Sequence, residues 1–298
     1  MEKLTPDRSG HLEAGRHRIW WEYFGSGERE AVCLLNGLAM HTKAWYGFLP
    51  ELQPDYDVIL YDYLGQGDSS CPDEPYFIPD FCHHLTGIVD QLGIDRFHLM
   101  GISYGGFVGL DYGRLYQKRL HTLTLSGILL SHERQFEMYQ DLSLLFYRSG
   151  PEAFEIYTHY LYEKIFAEPF LRSVPADTLE DMRQRFHERY RHRVHSLVRL
   201  TEAQNPFFAG LDQRLDEYRA ISTPTLLIAG GEDRAIPVRM QRKICDVLAN
   251  TRFELLEGSG HVVYLERKDE FFPMLRAFMA ARSLSFEPQD DPRAAVVA

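Results

Sequence analysis

Apolar residues recur along the chain with two different spacings, and the switches between them mark its elements. Arg18 to Phe24 (Arg-Ile-Trp-Trp-Glu-Tyr-Phe) reads as a first strand, closed by Gly25-Ser26-Gly27. The unbroken run Ala31 to Leu35 reads as a strand buried on both faces, ahead of Asn36-Gly37-Leu38-Ala39-Met40 and a short helix from Ala44 to Leu52. Asp57 to Tyr61 is predicted as a third strand and runs into the glycine-punctuated loop Asp62 to Ser69. Phe81, Leu85, Ile88, Val89 and Leu92 fall in helical register over Pro79 to Leu92, and Gly93 ends that helix. Phe97 to Met100 and Leu120 to Ser126 read as buried strands, with Val108, Leu110, Tyr112 and Leu115 between them suiting a helix packed on a sheet.

Strand, helix and strand in alternation imply a mostly parallel, doubly wound α/β sheet with right-handed crossovers on both faces. The alternation then stops. From Ser131 to Tyr218 the sequence is helical and rich in aromatics, with no good strand, which predicts a helical cap over the carboxyl edge of the sheet. Strand character returns at Thr225 to Ala229. A helix from Val238 to Leu248, a strand from Arg252 to Leu256 and a helix from Asp269 to Ala281 follow. The expected organisation is therefore a core of 1–130 and 219–284, a cap of 131–218, and a mobile polar tail of 285–298.

The candidate chemistry centres on Gly101-Ile102-Ser103-Tyr104-Gly105, a G-x-S-x-G set between a strand and a helix. Such a nucleophile elbow turns so sharply that the serine hydroxyl stands clear of the sheet, and a side chain at 101 or 105 would collide with its neighbours. A shuffled chain of this composition would give about 0.08 matches, so the pattern gains its weight from the flanking strand and helix. Serine is a poor nucleophile at neutral pH and needs a base and an acid. Glu232-Asp233 follows the Thr225 strand, and Gly258-Ser259-Gly260-His261 follows the Arg252 strand. Of the two acids, Asp233, directly before Arg-Ala-Ile-Pro, is the better candidate. The order Ser103, Asp233, His261 is the one expected of this arrangement, and all three fall just past carboxyl strand ends, where open α/β sheets bind ligands. Two backbone N–H groups would stabilise an oxyanion, from Tyr104 after the nucleophile and from Leu38 in the loop after the second strand. Asn36, Met40 and His41, with Trp45, are expected to border the substrate; apart from His41 and His261, the histidines read as structural.

These stretches resemble the α/β-hydrolase superfamily in its capped esterase or lactonase form, over Leu34–Met40, Tyr61–Ser69, Met100–Gly106, Ile228–Pro237 and Glu257–Glu266. The resemblance implies an acyl-enzyme on Ser103 and a triad with Asp233 and His261, and it implies no metal and no organic cofactor. One departure is Asn36-Gly37 where the family usually has His-Gly; an Asn amide can still brace the loop. In this the chain is similar to the bacterial acyltransferases of rhamnolipid synthesis, which also carry Asn-Gly there.

Charge and composition narrow the partners. The formal net charge of −11 argues against a nucleic-acid surface. No apolar run approaches the roughly 20 residues of a membrane span, and the start lacks a signal-peptide core, so a cytoplasmic location is expected. The 4 cysteines show no metal-ligand spacing. Against the overall charge, Arg183, Arg185, Arg189, Arg191, Arg193 and Arg199 crowd one stretch of the cap, with Phe186, Tyr190, Val194 and Leu197 as its buried stripe. That basic face could attract the phosphate of an acyl carrier or coenzyme A thioester, or it could simply pair with Glu180, Asp181 and Glu202. The leading expectation is a serine hydrolase of a small, largely apolar ester or lactone. A thioesterase or acyltransferase is the alternative, and carbon–carbon bond hydrolysis, aminopeptidase activity or a silent binding module on the same scaffold are less favoured.

Overall fold

A computed structural model describes residues 4–287. Its centre is a sheet of eight strands: β1 (Arg8–Ala14), β2 (His17–Phe24), β3 (Ala31–Leu35), β4 (Asp57–Tyr61), β5 (Phe97–Ile102), β6 (Leu120–Ser126), β7 (Thr225–Gly230) and β8 (Thr251–Leu256). The spatial order is β1-β2-β4-β3-β5-β6-β7-β8. The first two pairings are antiparallel and the rest parallel. The strands that read as unbroken apolar runs, β3, β4 and β5, are buried at every position, because helices cover both their faces.

The crossovers are α1 (Ile78–Leu92), closed by Gly93 at φ 75°, and α2 (Tyr104–Tyr116), which follows β5 directly. Between β6 and β7 lie seven helices: α3 (Arg134–Arg148), α4 (Pro151–Ile165), α5 (Glu168–Ser173), α6 (Ala176–Tyr190), α7 (Val194–Glu202), α8 (Asn205–Ala209) and α9 (Leu211–Arg219). α10 (Val238–Arg242), α11 (Val263–Glu266) and α12 (Lys268–Ala281) complete the chain.

Some boundaries differ from expectation for physical reasons. β1 escapes the hydrophobic pattern because it is an edge strand with no fully buried residue. The helix expected over Val238 to Leu248 is α10 followed by a 3-10 turn at Lys243–Asp246. Of the expected tail, residues 288–298 lie outside the described residues. The part that is described is pinned: Phe286 is buried against Phe278, its carbonyl accepts from Arg252 Nη1 at 2.7 Å, and the Arg252 guanidinium sits 4.0 Å from its ring centroid.

Candidate active site

Ser103 sits between β5 and α2 at φ 49° and ψ −118°, a backbone conformation rarely adopted by any residue with a side chain. What holds it there is crowding. A Cβ at Gly101 would lie 2.3 Å from the Gly105 carbonyl oxygen, and one at Gly105 would lie 2.7 Å from the carbonyl oxygens of Leu35 and Asn36. The Ser103 N–H donates to the Ser126 carbonyl at 2.8 Å, tying the elbow to the end of β6.

The next residue after β6 locates the histidine. Gly127 faces the His261 imidazole so closely that a Cβ there would lie 2.7 Å from Cε1. His261 Nδ1 is 2.8 Å from Asp233 Oδ2, and since a carboxylate only accepts, the proton resides on Nδ1 and leaves Nε2 as an acceptor. Asp233 is buried, and both its oxygens are engaged. Oδ1 accepts from the N–H groups of Ala235 (2.9 Å) and Ile236 (2.8 Å), and Oδ2 accepts from His261 and from Gln241 Nε2 at 3.0 Å. Burial alone would lower the His261 pKa, but the charge and hydrogen bond of Asp233 outweigh it and hold the imidazole above the ordinary histidine value. Among the described residues Ser103 Oγ makes no hydrogen bond, a contact that in serine hydrolases tightens once substrate is bound. The competing acid, Glu232, turns outward: its Oε2 accepts from the Glu168 N–H at 3.2 Å.

The N–H groups of Leu38 and Tyr104 have no acceptor among the described residues, as donors kept for a ligand oxygen would. Leu38 leads into Ala39, itself at φ 61°, and Ala39 packs into the cap cluster with Tyr147, Phe154, Tyr157, Tyr190 and Leu197. Two of the expected substrate contacts need correcting. Asn36 is fully buried: its Nδ2 donates to the Tyr61 carbonyl (3.0 Å) and its Oδ1 accepts from Trp45 Nε1 (2.8 Å). It braces the loop instead of facing a ligand, and Trp45, also fully buried, is its partner. Beside them Asp62 accepts from the N–H groups of Thr42 and Asp68, and burial pushes its pKa up to about 6 against those bonds. Met40 Sδ accepts from the Gly37 N–H at 3.2 Å, which folds that side chain back on its own loop. His41 is half-buried, and its pKa is pushed down to about 4 by burial first and then by Arg189 and Lys43, so it is neutral at pH 7.

The basic stretch of the cap does not form one face. The chain breaks between α6 and α7, and Arg183, Arg185 and Arg199 pair with Glu180, Asp181 and Glu202. Arg193 donates to the Gly67 carbonyl at 3.2 Å. A cleft of about 680 Å³ opens beside the acid loop, lined by Met138, Leu142 and Leu145 together with the charged Asp141, Lys164 and Arg234, and none of Ser103, His261, Leu38 and Tyr104 lines it. The cap also grips the histidine loop. The His261 N–H donates to the Ile165 carbonyl (2.7 Å), and Glu266 Oε2 accepts from both Gly260 N–H (2.9 Å) and Ala167 N–H (3.0 Å). Gln241 and Glu266 went unremarked in the sequence because a polar residue inside a short amphipathic helix looks like any solvent-facing position.

A family model described as the alpha/beta hydrolase fold matches residues 30–268. The chain belongs to the α/β-hydrolase fold family. It is 30% identical over 263 residues to the protein assigned as the carbamate hydrolase RutD of Pseudomonas syringae pv. syringae, covering 84% of this chain and 94% of the relative. It is 24% identical over 279 residues to the 2-hydroxy-6-oxo-2,4-heptadienoate hydrolase of Pseudomonas putida, covering 92% and 95%. Among solved structures it is similar to MGS-M2, an alpha/beta hydrolase enzyme from a deep-sea metagenome library, with a TM-score of 0.83, 22% identity and coverage of 93% of this chain and 100% of that one. The first two of these relatives are named for the hydrolysis of a carbamate and of a dienoate. Among the described residues no helix is long and apolar enough to cross a membrane, and no group of His, Cys, Asp and Glu could hold a metal ion.

Proposed function

We infer that the protein is a serine hydrolase that cleaves a small, largely apolar carboxylic ester or lactone through an acyl-enzyme on Ser103. The observation that carries this reading is the His261–Asp233 hydrogen bond of 2.8 Å beside the turn whose preceding residue holds the Ser103 N–H. His261 Nε2 takes the Ser103 proton as Oγ attacks the acyl carbon. Asp233 keeps the imidazole in the required tautomer and stabilises the imidazolium. The tetrahedral oxyanion is received by the Leu38 and Tyr104 N–H groups, and its collapse expels the alcohol, protonated by His261. Water activated by the same histidine then releases the acid. The relatives' hydrolysis of a carbamate and of a dienoate supports a small acyl substrate. Transfer from a carrier-bound thioester is less supported, because three of the six cap arginines are paired with carboxylates within the cap.

The test is a panel of p-nitrophenyl esters, lactones and acyl thioesters together with a fluorophosphonate probe. Wild type is expected to hydrolyse esters or lactones and to be labelled at Ser103, and Ser103→Ala to lose about 10⁴-fold or more in kcat with its fold intact. An unlabelled wild type, or a Ser103→Ala variant that retains activity, overturns the reading.

A further inference from the structure

We propose that Gln241 is a positioning residue of the catalytic centre, fixing the acid and the floor under the histidine relative to each other; this rests on the triad reading above. Gln241, in α10, is fully buried, and every hydrogen-bonding position of its amide that faces the site is used. Nε2 donates one proton to Asp233 Oδ2 at 3.0 Å and the other to the Ile236 carbonyl at 2.7 Å. Oε1 accepts from the Gly127 N–H at 3.1 Å. The orientation is forced: turned over, the amide would set its oxygen against a carboxylate and a carbonyl, and its NH₂ against an N–H.

Two consequences follow from which atoms it holds. Asp233 Oδ2 is the oxygen that receives His261 Nδ1–H, so the Gln241 bond sets the plane of the carboxylate along the direction the imidazole needs. The second donor also spreads the carboxylate's charge, tempering its pull on the imidazolium. At its other end the amide anchors the Gly127 turn, against which the ring of His261 lies and whose preceding residue, Ser126, accepts the Ser103 N–H. One side chain therefore spans the supports of all three members of the triad without itself reaching the reacting atoms. Geometry within about 0.5 Å decides such sites, and supports of this kind are what maintain it.

The experiment follows the rate of Ser103 labelling by a fluorophosphonate from pH 5.5 to 9, which needs no knowledge of the natural substrate. Gln241→Met removes all three bonds at nearly constant volume. Gln241→Glu keeps the acceptor for Gly127 and places a second carboxylate beside Asp233. Both are expected to label tenfold or more slowly at pH 7.5. The acid limb is expected to move to higher pH in Gln241→Met, since an unshared carboxylate favours the imidazolium, and further still in Gln241→Glu. If Gln241→Met does not fold, Gln241→Glu alone decides. A variant with a lower melting temperature whose folded fraction labels at the wild-type rate, with an unmoved limb, assigns Gln241 a purely structural role and overturns the proposal. Failure of wild type to label at Ser103 would instead overturn the triad reading itself.

Discussion

Ser103 bears a conformational cost that serves no packing purpose. At φ 49° a residue with a Cβ costs of order 1–3 kcal/mol relative to relaxed backbone, and the neighbouring glycine contacts leave it no alternative. Ser103→Gly should therefore abolish hydrolysis while raising stability by about 1 kcal/mol, read as a higher melting temperature; a lower one would show that the elbow is unstrained. His261 allows a second prediction at this scale. Asp233 holds its folded pKa above the free value of about 6.5, so the acid limb of kcat/KM should lie above that value. The linked stability has the opposite sign: it is fully present below the unfolded pKa and fades as pH rises through the folded one. Asp233→Asn should lower kcat by about 10⁴-fold and shift the limb down, since the imidazolium loses its counter-charge. A limb unchanged in that variant would separate Asp233 from His261. Ser103 and His261 stand out in the sequence because each lies in a glycine-flanked loop after an apolar run. Asp233 was preferred to its neighbour Glu232 for its place directly before Arg-Ala-Ile-Pro, and it is Asp233 that meets His261 while Glu232 accepts from the Glu168 N–H.

At the scale of elements, the elbow depends on three backbones meeting at van der Waals distance. Gly101→Ala or Gly105→Ala should each destabilise by roughly 3 kcal/mol or more, since the obstruction is carbonyl backbone that cannot rotate away. Urea unfolding measures it, and a loss below about 1 kcal/mol would mean the sheet can yield. Central strands and crossover helices were readable because burial on both faces leaves an uninterrupted apolar signal. The edge strand β1 was not, being half-exposed, whereas β8 at the other edge was expected over Arg252 to Leu256 and begins one residue earlier, at Thr251. Leu115, expected to face the sheet, is 38% exposed near the end of α2, where the helix runs past its support. Asn36 lies in a loop expected to border the substrate, yet its amide is committed inward to Trp45 and Tyr61, as a brace of that loop would be. A buried network of this kind leaves no periodic trace.

Across the whole molecule, the cap and core meet through polar backbone contacts as well as apolar packing. Arg234 donates to the carbonyls of Glu163 and Phe166, and Glu266 bridges Gly260 and Ala167. Glu266→Ala would leave two N–H groups buried without acceptors, costing about 1–3 kcal/mol of stability. It should also lower kcat for esters, because the histidine loop loses a tether; unchanged kcat on a destabilised protein would limit Glu266 to folding. The same joint constrains how a ligand can get in. Ile165 and Ala167 are fastened to the loop and short helix that carry His261 and Glu266, so lifting the cap at that end would drag His261 out of register. Under the proposed chemistry, any displacement at this joint would cost the base its alignment with Asp233.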